Sequence, residues 1–204
     1  MADKIWLGTD SSNPTDWNTA ANWSPSGVPS ASDNVRLVAS YSNNLAGYDA
    51  SGTALADFIV EDGYSGTIGS KTADLQISCT YFEFAGSGLS YIDLGSSSVS
   101  PRIVTTGGTA GAGRYSLYLI GTAISVISVE AGSVGLAAVH GQASTITTVR
   151  QRGGTVKVGA GAALTNLTSY GGTSEIATDI TTVKVYGGTV TTSEQAAVTT
   201  ATIT

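Results

Sequence analysis

The side chains that could do chemistry are few and scattered. The one histidine, His140, stands in Val139-His140-Gly141-Gln142 beside a glycine turn. No serine or cysteine nucleophile is recognisable by motif next to it, so it reads as a turn histidine with its hydrogen bonds met. The one cysteine, Cys79, alternates with apolar residues in Ile77-Ser78-Cys79-Thr80 and reads as a small core residue rather than a reactive thiol. A single cysteine excludes an intrachain disulfide, and with a single histidine it nearly excludes a Cys/His zinc site. Glu130, Glu175 and Asp179, with Arg150 and Arg152 near them, could line up on successive coils of a repeating fold, as a polysaccharide hydrolase or lyase requires. The plainer reading of those charges is a solvated face. No GxxxxGK[ST] phosphate loop is present, and the Gly-Gly pairs are followed by Thr rather than by the Gly-x-Asp of calcium-binding repeats. Neither a catalytic site nor a metal or cofactor is expected.

The elements that would hold such groups follow from composition. The chain has 204 residues, 41% of them hydrophobic, which suffices for a core. Val, Ile, Leu and Ala are set among 26 Gly, 26 Ser and 28 Thr, while only 12% of residues are charged. That balance favours strands joined by many turns over helices. The net charge is −6, with 11 acids and 3 bases up to residue 100 and 4 acids and 6 bases beyond it. An acidic chain with no basic cluster is poorly suited to gripping nucleic acid through its phosphates. Met1-Ala2-Asp3-Lys4-Ile5-Trp6 lacks the apolar stretch of a signal peptide, and no run reaches the length of a membrane helix, so a soluble product made in the cytoplasm is expected.

Two regions differ in texture. Residues 1–48 carry all three tryptophans (Trp6, Trp17, Trp23) and Pro14, Pro25 and Pro29, and read as a turn-rich head that covers the end of a core. Sugar binding by these indoles is the alternative. Residues 49–204 read as short strands, as in Phe58-Ile59-Val60 before Asp62-Gly63, and Leu75-Gln76-Ile77 before Tyr81-Phe82-Glu83-Phe84.

An internal repeat decides the architecture. Val149-Arg150-Gln151-Arg152-Gly153-Gly154-Thr155-Val156 recurs as Leu167-Thr168-Ser169-Tyr170-Gly171-Gly172-Thr173-Ser174 and Val183-Lys184-Val185-Tyr186-Gly187-Gly188-Thr189-Val190, at offsets of 18 and 16 residues. Ile127-Ser128-Val129-Glu130-Ala131-Gly132-Ser133-Val134 is a weaker copy, and Ile103-Val104-Thr105-Thr106-Gly107-Gly108 a further candidate. Paired glycines turning between alternating strands at this period predict a right-handed parallel β-helix, or β-solenoid. The turns would fall at Gly153, Gly154, Gly171, Gly172, Gly187 and Gly188. A β-sandwich does not predict a repeat at a short fixed offset. A solenoid has open ends, and pairing of Ala201-Thr202-Ile203-Thr204 with another subunit would satisfy one of them, so a closed homo-oligomer is expected.

The opening of the chain adds a resemblance. Trp6-Leu7-Gly8, Thr15-Asp16-Trp17-Asn18-Thr19-Ala20-Ala21-Asn22-Trp23, Gly27-Val28-Pro29 and Asp33-Asn34-Val35 resemble a motif repeated in bacterial autotransporter and adhesin passengers. The same motif is found once at the start of tailed-phage proteins of about this length. Ser65-Gly66-Thr67-Ile68-Gly69, Leu119-Ile120-Gly121-Thr122 and the Gly-Gly-Thr coils follow in the phage order. The resemblance implies a virion β-solenoid of the capsid decoration, or cement, type. Such a protein would bind the major capsid protein on the outer head shell as a homo-oligomer, most simply a trimer. Trp6, Trp17 and Trp23, with Asp10 and Asp16, would then form the cap or docking end. The rival readings are a phage tail or fibre component, or an adhesin-type β-helix, that binds and could cleave host glycans.

Overall fold

Alternating apolar residues between glycine turns do fold as stacked rungs. The computed structural model describes residues 1–104, 115–138 and 142–204. Its strands are β1 (Asp3–Trp6), β2 (Trp23–Ser24), β3 (Asn34–Leu37), β4 (Asp49–Val60), β5 (Leu75–Phe84), β6 (Ser90–Asp93), β7 (Arg102–Val104), β8 (Leu117–Ile120) and β9 (Ile124–Ala131). They continue as β10 (Ser133–Leu136), β11 (Ser144–Gln151), β12 (Thr155–Val158), β13 (Ala162–Ser169), β14 (Thr173–Ile176), β15 (Ile180–Val185), β16 (Thr189–Thr192) and β17 (Val198–Ile203). Short 3₁₀ turns at Ala20–Asn22 and Ala39–Tyr41 are the only helical elements among the described residues.

The chain is a parallel β-solenoid of about eight turns. One face stacks β3, β4, β5, β7, β9, β11, β13, β15 and β17 in parallel register. A second face stacks β6, β8, β10, β12, β14 and β16. The repeat offsets read from the sequence are the rung-to-rung register itself: Val149 pairs with Leu167, and Leu167 with Val183.

Side chains of like kind therefore stack along the inside. One inner column runs Leu37, Val60, Phe84, Ile103, Val129, Gln151, Ser169 and Val185. Another runs Ile127, Val149, Leu167 and Val183, and on the second face Leu119, Leu136, Val158 and Ile176 do the same. Each such buried aliphatic contributes about 1.5–3 kcal/mol relative to exposure. One continuous core joins them, and it includes Trp6, Trp17, Trp23, Val35 and Leu37. The inner ladder thus starts within residues 1–48. There β1 lies parallel to β3, while β2 turns back antiparallel to β1, with Trp6 opposite Trp23.

Candidate functional site

The head is organised from its aromatics outward. All three indoles are buried; Trp6 and Trp17 each meet Trp23 edge-on, at centroid distances of 5.0 and 4.8 Å. The Trp23 indole N–H donates to the Trp17 carbonyl at 2.8 Å, and that of Trp6 to the Asn43 carbonyl at 3.1 Å. The tryptophans are therefore core, and the surface of this end is built by the turns around them. Asp10 and Asp16 shape those turns. Asp10 Oδ1 accepts the Ser12 and Asn13 amides, and Asp16 accepts the Asn18 amide and the Thr19 hydroxyl.

The residue that locks these turns together, Asn22, escaped the sequence reading. It is fully buried; its Oδ1 accepts the Asp10 amide at 2.8 Å and its Nδ2 donates to the Asn13 and Asp16 carbonyls at 2.6 and 3.0 Å. Its place in the Ala20-Ala21-Asn22-Trp23 stretch of the motif was the available signal.

The paired glycines are needed for two separate reasons. Gly154, Gly172 and Gly188 have φ of 69°, 84° and 82°, the left-handed region that side chains disfavour. Gly153, Gly171 and Gly187 have no such angle, yet a Cβ there would stand 2.7, 2.8 and 2.6 Å from the carbonyl oxygens of Glu130, Arg152 and Tyr170 on the rung before. The weaker copy turns in the same way at Gly132, with φ of 87°. Gly107, Gly108 and His140 lie outside the described residues.

The carboxylates do not converge, which corrects the reading in which they line up on successive coils. Glu130, the penultimate residue of β9 on the first face, pairs with Arg152 at 2.7 Å, whereas Glu175 lies on β14 of the second face and pairs with Lys157 at 3.4 Å. Asp179 precedes β15 and accepts the Ala197 amide at 2.8 Å. Glu175 and Asp179 fall in the same coil on different faces, and Glu130 lies on another face from Glu175, so the three cannot form one column. Among the described residues, no group of three or more His, Cys, Asp or Glu could hold a metal ion. Cys79 is buried; burial, reinforced by the Asp57 carboxylate, pushes its thiol up to about 12.

The exposed features that sequence reading missed are aromatic pairs and a groove. Tyr170 stacks on Tyr186 at 5.2 Å in the turns that follow β13 and β15, both half-exposed, and the partly buried Tyr91 and Tyr118 stack at 4.7 Å on the second face. A groove of about 250 Å³ opens on the second face beside the Lys157–Glu175 pair. Comparisons with protein-family models, with curated proteins and with solved structures found no match to this chain.

Proposed function

We propose that this chain is a structural, non-catalytic virion protein that decorates and cements the outer head shell of a tailed phage. In this reading it acts as a homo-oligomer, most simply a trimer, bound to the major capsid protein on the virion surface. The observation that supports the reading is the unbroken inner column from Leu37 to Val185. Each rung is bonded through its main chain to its neighbours and shares one continuous core with them, and close-packed interiors resist deformation. A shell protein that bridges capsomers against internal pressure needs such a stiff body. The resemblance of the tryptophan-rich opening to phage virion proteins supports the same reading.

The test is cryo-electron microscopy of virions that carry the protein, with copy number from quantitative mass spectrometry. Hundreds of copies at regular lattice positions on the head are expected. A handful of copies confined to the tail would overturn the proposal.

A further inference from the structure

On the second face, one column of residues crosses six rungs in register: Tyr91, Tyr118, Gly135, Lys157, Glu175 and Thr191. With strands about 4.8 Å apart, the column is about 24 Å long. Its first part is aromatic. Tyr91 and Tyr118 stack, and Tyr115 packs edge-on against Tyr118 at 5.7 Å. A Cβ at Gly135 would stand 3.1 Å from a ring carbon of both Tyr115 and Tyr118, so the glycine lets the rings lie close against its rung.

The second part is the groove of about 250 Å³, lined by Lys157, Glu175, Ile176, Ala177, Thr191 and Thr192. Ile176 is buried, its side chain turned into the core, so Ala177 supplies the apolar edge; Thr191 and Thr192 are exposed and offer hydroxyls. The Lys157 ammonium and Glu175 carboxylate stand 3.4 Å apart and remain largely open to solvent, with side-chain exposures of 41% and 51%. They present a donor and an acceptor side by side. The two parts adjoin, because Gly135 under the tyrosine rings pairs in register with Lys157 at the groove.

We propose that this column is a binding strip for a neutral oligosaccharide, with one pyranose ring seated in the groove between Lys157, Glu175 and Thr191. A pyranose has an apolar C–H face and a rim of hydroxyls, which the Ala177 edge and the threonines match. A vicinal diol meets the ammonium and the carboxylate together, through charge-assisted hydrogen bonds. The groove is smaller than the roughly 300 Å³ at which drug-sized sites begin, and so suits a single ring. Anionic glycans and nucleic acid are disfavoured, because Lys157 is balanced by Glu175 and the chain carries a net charge of −6. This inference does not depend on the capsid reading, since copy number on a virion leaves it untouched.

The experiment is saturation-transfer NMR on the full chain. The probes are methyl glycosides of glucose, galactose, mannose and N-acetylglucosamine with their β1-4 dimers, and a uronate and a sialoside for comparison. Saturation should reach the C–H groups of one ring face of at least one neutral probe. Thr191→Trp, which fills the groove, should abolish it. Glu175→Gln should weaken binding by about tenfold, the equivalent of one charge-assisted hydrogen bond. Lys184→Ala on the other face should leave it unchanged, and matched circular dichroism of the variants separates lost binding from lost fold. Transfer to none of the neutral probes, transfer confined to the acidic ones, or transfer that Thr191→Trp leaves intact would each overturn the proposal.

Discussion

Inside the coil the Ser174 hydroxyl donates to the side-chain carbonyl of Gln151, 23 residues earlier in the chain. The same Gln151 amide donates to the carbonyls of Gly154 and Thr173 at 3.0 Å each, so one fully buried side chain clamps the turns of two adjacent rungs. The glutamine sits in the column that Val129 occupies one rung before, yet filling that position with a hydrocarbon should not help. Gln151→Leu leaves the Ser174 hydroxyl and the turn carbonyls without their partner and should cost about 1–3 kcal/mol in denaturant unfolding. Combined with Ser174→Ala, the loss should be less than additive. Additive losses would show that the pair is not coupled.

The glycine turns make a prediction with a built-in control. Gly172 has a φ of 84°, and a Cβ there would collide with the Gly154 carbonyl oxygen; Gly95 has a φ of 55° with open space around it. Gly95→Ala should therefore cost only the backbone conformation, about 1–2 kcal/mol. Gly172→Ala carries the same cost plus the collision with the neighbouring rung, and should lose clearly more. Equal losses on chemical denaturation would mean that rung spacing at the turn is loose.

How far the sequence revealed this fold depends on which coil is considered. From Gln151 onward the Gly-Gly turn keeps one length and composition in each coil, so the pattern recurs at 18 and 16 residues and the repeat is visible by eye. Earlier rungs step from Val35 to Phe58 to Phe82, with turns of varied length and composition, and no repeat survives in the letters although the register does. Gln151 and Ser169 look like surface residues in sequence, because nothing local says that a turn carbonyl waits for them inside the coil. The column from Tyr91 to Thr191 was equally hidden: it joins residues from six segments, and which of them stand in line is set by every intervening turn. In the Trp-rich head, the fastening of the turns through the buried Asn22 was not legible.

Cys79 offers a direct probe of opening. Its thiol is buried on β5 and held well above its ordinary range by burial and by the Asp57 carboxylate, so little thiolate forms and little of it is reachable. The native protein should not react with a thiol reagent at mildly alkaline pH over hours, and should react with one equivalent in concentrated guanidinium. Fast labelling without denaturant would show that the first face opens near β5 at low cost.

Asp33 ties the first strand to the ladder, and its charge makes the tie sensitive to acid. The buried carboxylate accepts the Ala2 amide at 2.7 Å, the Ser30 amide at 3.0 Å and the Ser30 hydroxyl at 2.8 Å, with the N-terminal ammonium 3.9 Å away. Burial alone would raise its pKa, but the Ser30 and Ala2 donors and the ammonium together outweigh burial and hold it below the ordinary carboxylate value. A proton therefore binds the unfolded chain more readily than the folded one. The stabilisation is complete above the unfolded pKa of about 3.9 and is lost as pH falls from there through the lower, folded value. Asp33→Asn should cost about 1–3 kcal/mol at neutral pH, with the gap to the wild type closing as pH drops below about 4. Denaturant unfolding of both proteins across that range checks the sign: a gap constant with pH, or one that widens in acid, would show that the charge of Asp33 is not what holds β1 to β3.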